Sequence, residues 1–502
     1  MHSDQPDPSG IERASFAAYQ PTWSSLREHR TPAWFRHAKF GIYTHWGVYS
    51  VPAYRHPAIG QDVTWYPRLM YFEDTPQYTH HVQTYGDPSK FGYKDFIPMF
   101  TGEHFDPDEW AELFVQAGAR YAGPVGEHHD GFCMWDTRYS QWSAARLGPR
   151  RDVVGELEHA IRRQGLKYLV ALHHAENWWF YPHWKKAYDT ADPRYASLYG
   201  EPHNQDGQNI GPDFFDQARP SRRFLDTWRD KVLELIDRYG PDALWFDFGL
   251  RHVPDQYKQA MLAYYYNHAQ ANLQDVAVIY KKSDLAPASG VADLEAGRMH
   301  TLAFHDWVTD TSVDANRAWG YYKDASYKSI TSLVHYLVDN VSKNGSLLLN
   351  VGPRPDGTIP QPAADVLRSL GRWLAINGES IYGTTNWFTY GEGPTQLQTG
   401  VSGNESDISG FTAQDIRFTT RENCLYATCL GWPGAQVTIE TLQALYPAEI
   451  NSVTMLGSDQ PLQWSLTDTG LTIETPAQQP CEHAYVFKIV RGQPFENPET
   501  AK

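Results

Sequence analysis

The sequence predicts an α/β fold, a (β/α)8-like barrel with one irregularity over residues 1–385, followed by a β-sandwich over residues 386–502. Three observations carry this. Short apolar runs alternate with amphipathic helices from Lys39 to Ile376, the pattern of a parallel sheet covered on its outer face. Several of those runs end in a histidine or an acid, and barrel enzymes collect their chemistry at the carboxyl ends of their strands. After Asn377-Gly378-Glu379 the helical period stops and short strands separated by turns take over. With 502 residues, 41% of them hydrophobic and 14% aromatic, the chain has ample material for two cores.

Lys39–Gly47 is the first predicted strand, with His45 at its carboxyl end. Val48–His104 is far longer than a typical βα loop and lacks clear periodicity, so an insertion carrying Trp65 over the barrel mouth is expected. Asp106-Pro107-Asp108-Glu109 opens a helix with an N-cap, a first-turn proline and an acid, and Trp110, Leu113, Phe114 and Ala117 form its buried stripe. Arg120–Gly126 is the second strand and leads into His128-His129; Leu166–Leu172 is the third and leads into His173-His174. Helices are expected over Asp152–Gln164 and over Ser221–Tyr239, the latter burying Phe224, Leu225, Trp228, Val232, Leu235 and Ile236. The fourth strand lies in Asp242–Gly249, an apolar run ended by Asp247, where alternation puts Trp245 and Asp247 on one face. Taken alone, this aspartate could equally cap the following loop. Val276–Tyr280 and Val291–Glu295 are the fifth and sixth strands, the second ending in Glu295. Phe304–Val308 and Ser346–Val351 complete the eight, with helices over Pro254–Leu273, Tyr327–Val341 and Ala363–Ile376. Between the sixth and seventh strands there is no room for a full helix. The sandwich strands are placed at Phe418–Thr420, Leu425–Thr428, Gln436–Glu440, Ser452–Leu456, Leu471–Ile473 and Ala484–Ile489.

A formal net charge of −16 argues against nucleic acid or an anionic membrane surface as partner, since both select clustered Lys and Arg. Four cysteines without CxxC spacing do not make a disulfide framework or a zinc site. No apolar run approaches the ~20 residues of a membrane span, and the N-terminus lacks a basic segment followed by an apolar one. A soluble protein without a leader in the chain as given is expected.

Two carboxylates on separate barrel strands, flanking a sugar, are what glycosidic cleavage requires, and Asp247 and Glu295 meet that description. The mouth would also gather His45, Trp65, His128, His129, His173, Trp178 and Trp245, imidazoles for hydroxyl groups and aromatic faces for the apolar side of a ring. A metal-dependent barrel hydrolase is the competing chemistry. Spacing argues against it: neighbours in a strand point to opposite faces, so neither histidine doublet chelates one ion. No metal or cofactor is expected. His80, His81 and His335 receive no role. A carbohydrate-binding protein without turnover keeps the same pocket and uses the acids as acceptors only.

Phe40–Gly47, His128-His129-Asp130-Gly131-Phe132, Leu244-Trp245-Phe246-Asp247, Trp307–Ser312, Asn344–Pro353 and Asn377–Gly383, taken together and in this order, resemble the α-L-fucosidases of glycoside hydrolase family 29. The resemblance implies a retaining, metal-free hydrolase of fucosylated oligosaccharides or glycoconjugates. It places the nucleophile on Asp247 and the acid/base on Glu295, within Asp293–Arg298. His45, His128, His129 and Trp245 match positions that bind the fucose ring, and Trp65 and His173 join them as candidate substrate contacts. Thr64 stands where the family commonly has a glutamate, and Ala296 where an arginine is frequent.

Overall fold

The computed structural model describes residues 18–57, 63–203, 219–281, 283–395, 397, 410–446 and 449–492. The N-terminal residues on which the leader expectation falls lie outside them.

Eight parallel strands close a barrel in chain order: β1 Phe40–Thr44, β2 Tyr121–Glu127, β3 Lys167–Leu172, β4 Ala243–Phe246, β5 Ala277–Lys281, β6 Val291–Asp293, β7 Trp307–Ser312 and β8 Gly345–Val351. β1 seals the ring, pairing Gly41 with Tyr121 of β2 and with Leu348 of β8. All four residues of β4 are buried, as a parallel strand covered on both faces should be. The helix Pro107–Gln116 is capped by Asp106, whose carboxylate accepts from the Asp108 and Glu109 N–H groups. The helix Arg222–Tyr239 is capped by Ser221 and ends at Gly240 in the left-handed region (φ 49°), which delivers the chain to β4. Phe224 on that helix is half-buried, not fully buried.

β7 is displaced from the predicted run. Phe304 is fully exposed, at 103%, and the strand is Trp307–Ser312, whose Thr309, Asp310, Thr311 and Ser312 are all buried. Polar side chains hid it from a search for apolar runs, but they are partnered inside: Thr309 shares a hydrogen bond with Tyr336 at 2.8 Å, and Asp310 meets Lys281 at 2.6 Å. No helix separates β6 from β7, so the irregularity lies where the sequence put it. The insertion after β1 contains the helix Pro76–Thr84, whose buried residues are Gln77 and His81; a helix with polar residues facing inward shows no apolar period. His81 is satisfied there by Tyr66 and the Phe91 carbonyl.

The C-terminal region has two antiparallel sheets. One is ordered β13-β16-β11-β10-β9, comprising β9 Thr385–Glu392, β10 Ile416–Arg421, β11 Cys424–Cys429, β13 Ile450–Met455 and β16 Tyr485–Arg491; the other is β12-β15-β14, comprising β12 Gln436–Ile439, β14 Trp464–Thr467 and β15 Gly470–Glu474. β9 and β14 were not predicted, since most of their residues are only partly buried or exposed and lack a continuous apolar face. Phe418, Leu425 and Phe487 of the first sheet share one core with Ile439, Leu471 and Ile473 of the second, which makes a sandwich. It docks on the barrel's last helices: Arg417 pairs with Asp339 at 2.7 Å and the Trp373 indole donates to the Ala484 carbonyl at 3.0 Å.

Candidate active site

The carboxyl ends of the strands surround a cavity of about 350 Å³ whose wall includes His45, Trp65, His128, His129, His173, Trp245, Asp247 and Glu295. Eight of the nine residues that the sequence places at the mouth therefore meet at one place. Trp178 does not; it packs against His203 and His252 instead. Thr64, which precedes Trp65 in the chain, is buried and is absent from the cavity wall, where Glu176 supplies a carboxylate.

Asp247 directly follows β4, and its N–H continues the ladder by donating to the Leu172 carbonyl at 3.0 Å. Its Oδ2 lies 3.4 Å from His129 Nε2 and 3.8 Å from His173 Nε2. The His173 carbonyl, 2.8 Å away, can only accept, so His129 Nδ1 donates to it. Nε2 then faces a carboxylate favourably only when it too carries a proton. Burial works against that imidazolium, but the Asp247 hydrogen bond and the charges of Glu176 and Asp247 outweigh burial and raise its pKa. Reciprocally, burial alone would raise Asp247, yet the His129 bond and charge, with Lys281 behind them, hold its carboxyl below the usual range. Asp247 is an anion clamped by a cation.

The histidines form a polarised chain. Asn350 Nδ2 donates to the Trp319 carbonyl at 2.6 Å, which orients its Oδ1 to accept from His45 Nδ1 at 2.8 Å. His45 Nε2 is then the acceptor for His173 Nε2 at 3.1 Å. Burial lowers His45 to about 4 and holds His128 and His173 well below the ordinary imidazole value, so all three are neutral. His45, His128 and His173 come close enough to suggest an ion site, with one nitrogen of each within 4.8 Å of the others. This corrects the spacing argument, which compared neighbours on one strand, whereas these three come from three strands. Their orientation does not suit a metal shell. His128 and His173 are stacked at 4.4 Å with planes 24° apart, and both nitrogens of His45 are already engaged. Tetrahedral zinc needs convergent lone pairs; this array suits hydroxyl groups better.

Glu295 lies two residues beyond β6, 24% exposed, with Oε2 3.5 Å from Lys281 Nζ. Lys281, the last residue of β5, was missed because the fifth strand was ended at Tyr280, one position early. Its ammonium is 2.6 Å from Asp310 and 3.2 Å from Asp293. Three carboxylates thus surround one buried cation, and they cannot all ionise cheaply. Burial and Asp310 push Asp293 upward, but both its oxygens accept hydrogen bonds, from the Trp245 indole at 2.6 Å and from the Asp310 N–H at 3.2 Å. Asp310 likewise accepts from Lys281 and, at 2.8 Å, from Tyr43. Glu295 is the most exposed of the three, at 24% against 0% for Asp293 and 1% for Asp310. Burial drives it up to about 7, with Asp310 and Asp247 adding and Lys281 opposing. Glu176 is also raised to about 7, by burial first and by Asp247, with His129 opposing. Glu127 belongs elsewhere: it is 1% exposed and paired with Lys231 at 2.6 Å.

Gly249 explains how the loop after Asp247 fits. Its φ of 112° suits glycine, and a Cβ there would fall 2.4 Å from Glu176 Cγ. Arg317 and Trp319, also on the wall, have φ of 52° and 56°, strained backbone of the kind held at functional sites. No local sequence signal marked either residue.

A closed parallel barrel with carboxylates at its mouth, Asp247 held below the usual range and Glu295 and Glu176 raised above it, among aromatic and imidazole groups, is the architecture of a barrel glycosidase. The comparisons agree. The family model described as Alpha-L-fucosidase matches residues 10–379, and that of the Alpha-L-fucosidase C-terminal domain matches residues 410–490. Tissue alpha-L-fucosidase of Rattus norvegicus is 32% identical over 489 residues, 94% of this chain and 93% of that protein; plasma alpha-L-fucosidase of Homo sapiens is 32% identical over 499 residues, 95% and 93%. The crystal structure of Thermotoga maritima alpha-fucosidase in complex with a mechanism based inhibitor superposes with a TM-score of 0.74 at 31% identity, covering 94% of this chain and all of that one. The chain belongs to the α-L-fucosidase family of glycoside hydrolases.

Proposed function

We propose that the protein hydrolyses terminal α-L-fucosides of oligosaccharides or glycoconjugates with net retention, using Asp247 as nucleophile and Glu295 as acid/base. The supporting observation is that two carboxyls on one cavity wall are shifted in opposite directions, Asp247 held below the usual range by His129 and Glu295 driven above it by burial. An Asp247 oxygen attacks C1 of the sugar while the C1–O bond to the leaving group breaks. Glu295 gives its proton to the departing oxygen. Water then attacks C1 of the ester, loses a proton to the Glu295 carboxylate, and releases Asp247 and fucose. His129 holds the nucleophile anionic and in place; the neutral His45, His128 and His173, with Glu176 beside them, offer donors and acceptors to the ring hydroxyls. Trp65 and Trp245 offer apolar faces.

A purely sugar-binding role would need hydrogen-bond acceptors but no proton poised on Glu295. Glu295→Ala separates the two. In an acid/base role it loses far more turnover on an oligosaccharide than on an activated aryl fucoside, and azide, which needs no base, restores the latter as a glycosyl azide. Equal losses on both substrates and no azide product would remove Glu295 from the role.

A further inference from the structure

At the end of the barrel opposite Asp247, the starts of the strands border a second cavity of about 940 Å³. Its wall takes Lys39 just before β1, the first residues of β5 and β6, Asp306 before β7, and Arg27, Arg30 and Arg36 from the segment leading into the barrel. Four cations therefore face a single carboxylate, in a chain whose formal net charge is −16. The catalytic account uses none of them.

Lys39 is the unusual member. It is 4% exposed, and among the described residues its ammonium has no ion pair and no hydrogen bond; only its backbone is engaged, the carbonyl accepting from Leu347 at 2.9 Å. Every other buried lysine among the described residues is matched: Lys231 with Glu127 at 2.6 Å, Lys258 with Asp255 at 2.9 Å, Lys281 with Asp310 at 2.6 Å and Lys343 with Asp339 at 2.7 Å. A buried charge without a counter-charge is costly. Burial, with Arg36 adding and Asp306 opposing, pushes Lys39 down to about 8. Arg27, Arg30 and Arg36 likewise make no ion pair or side-chain hydrogen bond among the described residues. One wall of the cavity is apolar, with Val278, Val291 and the wholly exposed Phe304.

We propose that this cavity is a binding site for a small molecule carrying a phosphate or sulfate group, with Lys39 at its base and Arg30 and Arg36 at its rim. The excess of positive charge over Asp306 suits a multiply charged tetrahedral oxyanion better than a single carboxylate. The apolar wall leaves room for an organic portion. Binding would supply the missing partner of Lys39, far from the fucoside.

The test is competitive acetylation of the full-length protein at pH 8, with the extent at each lysine read by peptide mass spectrometry. Inorganic phosphate, sulfate and sodium chloride are compared at matched ionic strength. At ten times its dissociation constant, phosphate or sulfate should slow acetylation of Lys39 about tenfold, with exposed lysines unaffected. Protection by one oxyanion only would assign the site to it. The Arg30→Ala/Arg36→Ala double variant, altered only at exposed positions, should lose most of that protection. Protection no greater than that given by chloride, or protection undiminished in the double variant, would overturn the proposal.

Discussion

Lys281 Nζ lies 3.5 Å from Glu295 Oε2, with Asp310 and Asp293 closing the rest of its coordination. The cation at the end of β5 therefore sets how readily Glu295 gives up its proton. Lys281→Met removes the one charge opposing that proton, so the alkaline limb of the kcat/KM profile should move upward. The same change strands buried acids, at a cost of about 3–5 kcal/mol, measurable by denaturant unfolding. Lys281→Arg keeps the charge and should move the limb much less.

His129→Phe removes the imidazolium that lowers Asp247. The acid limb of kcat/KM should shift to higher pH, because the carboxyl regains a more ordinary value, and activity on an aryl fucoside should fall roughly 10²–10³-fold, the range seen when an aimed donor is lost. Measuring kcat/KM between pH 3 and 8 checks both.

The wild-type pH profile follows from the two carboxylates. In the proposed mechanism Asp247 must be ionised and Glu295 protonated; Asp247 is held low and burial drives Glu295 up to about 7. Activity should be flat in mildly acidic solution and decline about tenfold per pH unit above that value. A profile still flat at pH 9 would remove Glu295 as the proton donor.

Glu127 provides a control. Glu127→Gln leaves Lys231 buried without its carboxylate, so stability should drop by about 3–5 kcal/mol. Because Glu127 is not on the wall of the cavity, the folded fraction should keep near wild-type kcat.

The strands visible in the sequence are those whose residues are apolar on both faces, as in β3 and β4. β7 was misplaced because its inward polar groups are neutralised by partners from other strands and from a helix, which no local pattern records. The same limit runs through the site. Asp247 announced itself by ending an apolar run, and the His45, His128 and His173 positions by following strands. That those histidines come from three strands to form one cluster depends on barrel closure. Lys281 beneath Glu295, and the left-handed turns that present Arg317 and Trp319, depend on tertiary contacts as well.

The central claim is a covalent ester at Asp247. Incubating the protein with a 2-deoxy-2-fluoro fucosyl donor bearing a good leaving group slows turnover of that ester enough to trap it, and peptide mapping by mass spectrometry locates the sugar. The account predicts one fluorofucosyl group, on the peptide carrying Asp247 and absent from Asp247→Ala. A sugar found on Glu295 or Glu176, or full turnover of an aryl fucoside by the Asp247→Ala variant, would contradict it.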